Sequence, residues 1–186
     1  MGSSSTRRNR KNARRAALYA AVGAMTAALY VALTLLCSAV GLSSMAIQVR
    51  LSEALCVLPY YFPAAVPGLF VGCLLANLLT GAVIWDVLFG SLATLVGALG
   101  AWGLSRVARR AESAGLSRSA RACRGLLPLP TVVANTVVVP LVLKFAYDLP
   151  DVLPLLFLTV GLGEVVSAWV LGLCLLAVIR KSRVFG

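Results

Sequence analysis

The chain has 186 residues, of which 60% are apolar and 12% charged, with 17 Lys and Arg against six Asp and Glu and no His. That is more hydrophobic surface than a soluble domain of this size can bury, so the bilayer must act as its solvent. The net charge of +11 lies in short runs beside apolar segments, without the interleaved aromatics of a base-stacking surface, which argues against nucleic-acid binding.

Fifteen of the 17 basic residues fall in three clusters, Arg7 to Arg15, Arg106 to Arg124 and Arg180 to Arg183. The positive-inside rule assigns all three to the cytoplasm. Residues 1–15 are then a basic cytoplasmic tail. The apolar stretch that follows, Ala16 to Val40, exceeds the roughly 7–15 residues of a signal-peptide core and reads as a retained first span. On it Ala16, Ala20, Ala24, Ala28 and Ala32 recur every fourth residue. Such a ridge lets another helix backbone approach closely, either within the same bundle or on a separate membrane subunit.

Two cytoplasmic clusters are separated by an even number of crossings. The stretch from Ala16 to Ser105 suits four and the stretch from Gly125 to Ile179 suits two, at about 20 residues per helix. With breaks near Gly41 to Ala46, at Pro59, Pro63 and Pro67, and at Thr80-Gly81, the predicted spans are 16–40, 46–61, 64–80, 83–105, 126–146 and 152–179. The expectation is an all-α, six-helix membrane bundle over residues 16–180, with both termini cytoplasmic, an Arg-rich cytoplasmic loop at about 106–124 and a tail at 181–186. The prolines imply a tight cytoplasmic hairpin between short helices, and short or broken helices often border a site. Gln48, Arg50, Asp86, Lys144, Asp148 and Asp151 gather near the outer turns, marking that side as the ligand entrance.

Arg50, Glu53, Asn77, Asp86, Asn135 and Glu164 are the strongly polar residues within the spans. An ionised side chain at mid-helix costs on the order of 2.5–3.5 kcal/mol, so each is a candidate for function. Arg50 and Glu53, three apart, either pair with one another or face a ligand. As an α-helix, the second span would put Tyr60 on the face of Glu53. Glu164 follows Gly161 and Gly163, which allow close approach, and Ser167 lies one turn on. Asn77 and Asn135 either join helices or bind. Trp85 beside Asp86 is an interfacial anchor or a stacking surface. Gly68, Gly72, Gly90, Gly97 and Gly100 look like packing positions.

Two carboxylates, two amides and an aromatic suit a planar, nitrogen-rich ligand, although a cation or a peptide fragment fits as well. Without His, imidazole metal ligands and His-dependent triads are excluded. No Lys follows a Gly, so there is no Walker A loop, and ATP-driven transport would need another polypeptide. Cys37, Cys56, Cys73, Cys123 and Cys174 have no C-x-x-C spacing and read as reduced packing residues. No metal, catalytic group or cofactor is expected on the chain.

Several segments resemble the queuosine-precursor transporter (QueT) family. They are Arg50-Leu51-Ser52-Glu53-Ala54-Leu55, Pro59-Tyr60-Tyr61-Phe62-Pro63, Pro67 to Asn77, Trp85 to Thr94, Pro128-Leu129-Pro130 with Asn135, and Gly161-x-Gly163-Glu164. The similarity spans roughly residues 16–180. It implies a substrate-binding S component of an energy-coupling factor (ECF) transporter in a bacterial plasma membrane. Such a subunit captures a 7-deazaguanine, the aminomethyl pre-queuosine base or queuine, from outside. The resemblance also implies association with a transmembrane coupling subunit and two ATPases through the alanine face from Ala16 to Ala32. The ligand would be held by Glu53, Asn77, Asn135 and Glu164, with Arg50, Asp86, Trp85 and Tyr60 around them. An S component for another vitamin or nucleobase shares the same polar set. An integral-membrane enzyme or a small channel are rivals of other classes; the enzyme lacks His, paired Asp motifs and a nucleophile beside a base.

Overall fold

The computed structural model describes residues 3–41, 49–147 and 152–182, with side chains from Arg8 onward. Gln48, Asp148, Asp151 and Arg183, expected at outer turns and in the last basic cluster, lie outside the described residues, as does the beginning of the predicted 46–61 span.

All regular structure among the described residues is helical. Helix α1 is Ser3–Ala39, a 3₁₀ helix covers Leu51–Tyr60, and α2 is Ala65–Leu79. Then come α3 (Ile84–Ser113), α4 (Ser117–Gly125) and α5 (Leu129–Phe145). The last rod, Leu153–Lys181, is α6 (Leu153–Glu164) and α7 (Gly172–Lys181) joined by a π-helical turn, Val165–Leu171. Four stretches are long and apolar enough to cross a membrane: Arg8–Ala39, Ile84–Ser113, Ser117–Phe145 and Leu153–Lys181. The chain is therefore a multi-pass membrane protein.

The two short elements between α1 and α3 depart from ordinary spans. At 2.0 Å per residue the 3₁₀ helix is about 20 Å long, and α2 at 1.5 Å per residue is about 22 Å, both less than the ~30 Å hydrocarbon core. The predicted α-helix over 46–61 is thus corrected to a tighter winding over Leu51–Tyr60. Runs of 3₁₀ helix this long are unfavourable on their own, and tertiary contacts hold this one. Ser52, Glu53, Leu55, Cys56, Val57, Pro59 and Tyr60 are all buried, and the element touches α1, α2, α3, α7 and the π turn. The Tyr61–Ala64 turn then reverses the chain within four residues, as the proline series implied.

The basic segments are more helical than expected. Helix α1 starts at Ser3 and runs straight through the predicted tail, because Arg, Lys and Ala are all good helix formers. The Arg-rich segment 106–124 is likewise the end of α3, a tight turn and α4, in place of a loop. Gly115 (φ 74°) makes that turn, with Leu116 N–H on the Ala111 carbonyl at 2.8 Å and Gly115 N–H on that of Glu112 at 3.0 Å. This is a Schellman cap, which requires the left-handed conformation that glycine adopts freely. The predicted break at Thr80-Gly81 ends α2 in the same way, with Ala82 N–H on the Asn77 carbonyl at 3.0 Å.

Glycines set the closest helix contacts. A Cβ on Gly68 would lie 2.5 Å from the Gly23 carbonyl oxygen, and one on Gly72 would lie 2.7 Å from Cβ of Tyr30, so α1 and α2 approach almost backbone to backbone. Gly97 and Gly100 do the same for α3 against Thr131 and Pro130 at the start of α5. The α1 face used here carries Gly23, Thr26, Ala27 and Tyr30. Ala16, Ala20, Ala24, Ala28 and Ala32 are all exposed instead, so packing inside the bundle does not account for that ridge. Cys37, Cys56 and Cys73 are buried, and all five cysteines are free.

Substituting Gly72 by Ala should therefore separate α1 from α2 and lower stability by about 1–3 kcal/mol, the usual range for an overpacked contact. Gly103→Ala, whose added Cβ meets nothing within 4 Å, is the control. Comparing the thermal unfolding midpoints of the two variants in detergent checks this; equal midpoints would show that the α1–α2 contact tolerates a methyl group.

Candidate functional site

The buried face of α1 packs Thr26 and Ala27 against α2 and presents Tyr30, Thr34 and Cys37 to the start of the 3₁₀ helix. The first N–H groups of any helix lack partners within it. Here Leu51 N–H lies 3.3 Å from Sγ of Cys37, and Arg50 N–H donates to Oγ of Ser167 at 3.0 Å. The Thr34 hydroxyl donates to the Tyr30 carbonyl at 2.9 Å and stands 2.9 Å from Oγ of Ser52. These contacts fix the register in which Glu53 points into the bundle, where it is 2% exposed and its Oε1 accepts the Tyr30 hydroxyl.

Helices α5 and α6 complete the arrangement. Asn135 is within reach of both the Glu53 and the Glu164 carboxyl groups, and all three side chains are buried. Oε2 of Glu164, also buried, has no hydrogen-bond partner among the described residues. The guanidinium of Arg50, on a half-buried residue, interacts electrostatically with Glu53, Glu164 and Asp86. It forms no ion pair within 4.0 Å among the described residues, where the one such pair is Arg124–Glu112.

Tyr30, Asn135 and Glu164 lie nine, ten and eleven residues from the helix ends remote from the basic clusters, at Ala39, Phe145 and Leu153. At 1.5 Å per residue that is about 14–17 Å, close to the middle of a ~30 Å hydrocarbon layer. Nearer that end lies a second polar group. Asn77 Nδ2 donates to the Asp86 main-chain carbonyl at 3.2 Å, tying the end of α2 to the start of α3. The Tyr147 hydroxyl accepts from Val83 N–H at 3.2 Å and donates to Oδ2 of Asp86 at 3.3 Å. Oδ1 of Asp86 is buried without a partner among the described residues, and Gly90 leaves the room for it, since a Cβ there would lie 3.0 Å away.

The structure thus brings together Arg50, Glu53, Asn135 and Glu164, with Asn77 and Asp86 above them. Tyr60 is not brought to this group. Over the seven residues from Glu53 an α-helix returns to the same face, whereas a 3₁₀ helix turns about 120° further and carries Tyr60 about 14 Å away. Tyr60 instead lies under Arg109, whose guanidinium is 5.0 Å from its ring centre. Trp85 is 54% exposed and stacks on Phe89 at 6.0 Å, on the outward side of α3. The glycine at 161 serves helix packing, with Thr136 at 3.3 Å from its notional Cβ.

Sequence reasoning missed Tyr30, Tyr147 and the π turn. Tyr30 had a readable signal: Thr26, Tyr30, Thr34 and Cys37 form a polar stripe at helical spacing, on a different face from the alanines. The π turn begins directly after Glu164 and carries Ser167, in keeping with the frequent placement of such turns at functional sites.

Residues 13–181 match the family model described as QueT transporter. The chain belongs to the QueT transporter family. No curated protein and no solved structure matches it. Membership of the QueT family makes this a transport protein for a small molecule and not an enzyme.

Tyr30→Phe removes the donor to Glu53 and leaves a buried acceptor unmet, a loss of about 1–3 kcal/mol. The unfolding midpoint of the variant in detergent should fall accordingly; an unchanged midpoint would mean that the phenol is not needed to hold the carboxyl group.

Proposed function

We propose that this QueT-family protein is the substrate-capture S component of an ECF-type importer. It takes a queuosine precursor, a 7-deazaguanine such as the aminomethyl pre-queuosine base or queuine, from outside a bacterial plasma membrane. The observation that carries the reading is the convergence of Glu53, Asn135 and Glu164 from separate elements at mid-membrane depth, with Arg50 interacting electrostatically with both acids and a buried Glu164 oxygen left without a donor among the described residues. Three carboxyl groups, counting Asp86, against one guanidinium favour a ligand rich in N–H donors. A deazaguanine offers adjacent N–H groups to one carboxylate, a carbonyl to Arg50, and an edge to the Asn135 amide, which both donates and accepts. An aminomethyl substituent adds a cation for a second carboxylate. Asp86, Asn77 and Tyr147 would frame the entrance, whereas Trp85 and Tyr60 lie apart from the carboxyl cluster.

The topology in this reading is six crossings with cytoplasmic termini. Its support is the path of the short elements. The 3₁₀ helix runs from Arg50, near the ends of α1 and α3 remote from the basic clusters, to Tyr60, beside Arg109 and Arg124. Helix α2 returns from there to Asn77 beside Asp86. The exposed alanines from Ala16 to Ala32 are the proposed docking face for the transmembrane coupling subunit, which in turn engages two ATPases; exposure of all five supports this.

Titrating the purified protein with queuine, the aminomethyl base, guanine and riboflavin tests the ligand assignment. A deazaguanine should bind most tightly, and Glu53→Gln or Glu164→Gln should weaken it by about ten- to a hundredfold, as expected for loss of a hydrogen bond to a charged group. Wild-type affinity in both variants would remove the two residues from the site. Ala24→Trp and Ala28→Trp should abolish co-purification with the coupling subunit while leaving ligand affinity intact, and retained assembly in both would place docking elsewhere.

A further inference from the structure

At the basic end of the bundle, remote from the carboxyl cluster, four elements line a half-open cavity of about 220 Å³. Tyr60 and Tyr61 form one wall, and Arg109, Glu112, Arg124 and Arg180 supply its charge. Three guanidinium groups face one carboxylate, so the cavity has an excess of positive charge. Its members are arranged and not merely accumulated: Arg124 is buried and ion-paired with Glu112. Arg109 donates to the Tyr60 carbonyl and lies over that ring. Topology alone asks only that arginines be on this side of the membrane, which the exposed Arg118 and Arg121 satisfy without converging on anything.

Convergent guanidinium forks match the oxygens of a phosphate group. The source of that phosphate follows from the surroundings. Beside the arginines, the half-buried Ile179 and the rings of Tyr60 and Tyr61 line the cavity directly. The cavity therefore presents apolar surface next to its charge. A free phosphate would use the arginines alone, whereas a phospholipid uses both. We infer that this is a headgroup site for an anionic phospholipid of the adjoining leaflet, its phosphate held by Arg109, Arg124 and Arg180 and its chains lying along that apolar surface. Basic recesses between membrane helices are suited to such headgroups. Because the 3₁₀ helix places Tyr60 in this cavity and Glu53 in the carboxyl cluster, a bound headgroup would steady the same element that presents Glu53.

Native mass spectrometry of the full chain in detergent, with added phosphatidylglycerol, phosphatidylcholine or inorganic phosphate, tests this. Phosphatidylglycerol should be retained in preference to phosphatidylcholine. Arg180→Gln, at the exposed rim and clear of the Arg124–Glu112 pair, should weaken that retention by about fivefold, the effect of one basic residue at an anionic headgroup. Arg109→Gln combined with it should weaken retention further, and Arg118→Gln with Arg121→Gln should leave it unchanged. Equal losses in the two double variants would reduce the effect to general attraction and overturn the site. Unaltered retention in Arg180→Gln would also overturn it. Inorganic phosphate competing as well as the lipid would assign a free-anion site instead. Loss of assembly with partner subunits at constant lipid retention would assign the arginines to a protein contact. None of these readouts depends on the transported ligand.

Discussion

Glu53 is buried on a 3₁₀ helix in the middle of a membrane bundle, and the positions of its neighbours follow from the need to make that tolerable. A carboxyl group away from water is costly unless it is hydrogen-bonded or faces compensating charge. Tyr30 donates to it from α1, Asn135 reaches it from α5, and Arg50 provides positive charge from the segment just before the 3₁₀ helix. Each of those groups is in turn fixed by packing: Tyr30 by the glycine contact at Gly72, Arg50 by its main-chain bond to Ser167. Glu164 shares Asn135 and Arg50 but has one oxygen without a partner among the described residues. The asymmetry between the two acids is what favours the proposed role of the cluster as a receptor for donors over internal bracing.

Separation of charge along the bundle is the second constraint. Among the described residues the buried carboxyl groups lie at mid-depth and toward the end remote from the arginines, whereas Arg109, Arg124 and Arg180 surround Tyr60 and Tyr61 at the basic end. The 3₁₀ helix joins the two. Its tight winding stretches ten residues over about 20 Å, where an α-helix of that length would cover about 15 Å. A short sequence thereby connects both polar regions, with the apolar Leu55, Cys56 and Val57 buried between them.

Much of this was legible in the sequence because membrane insertion writes its rules in simple terms. The four long helices follow from apolar length, the turns at Thr80-Gly81 and the prolines from backbone chemistry, and the six polar candidates from the cost of burying them. Charge assigns the Arg-rich segments a side of the membrane and says nothing of their winding; they are helical because Arg and Ala favour helix wherever the backbone is free to form one. Tyr60 was assigned to the Glu53 face because side-chain periodicity presumes 3.6 residues per turn, and tertiary packing imposed three. Tyr30 and Tyr147 escaped notice since a phenol in an apolar span carries little penalty and so attracts none of the suspicion a charge does. Trp85 was ambiguous for the opposite reason: a lone tryptophan at a membrane boundary is explained by lipid alone.

The two irregular windings also belong together. The 3₁₀ helix and the π turn pack against each other, through Arg50 N–H on Ser167 and Sγ of Cys56 at 3.8 Å from the Ala168 carbonyl. One is wound tighter than an α-helix and the other looser, so neither is at its isolated minimum, and each depends on the other's contacts to persist. Glu53 lies three residues into the first and Glu164 immediately before the second. A ligand that bridges these two acids would therefore act on both windings at once, whereas the ends of α1 and α3 are tied by capping glycines and main-chain bonds that do not involve the cluster. On the proposed function, a rearrangement on binding would be concentrated where the backbone is least regular, at the contact between Arg50 and Ser167.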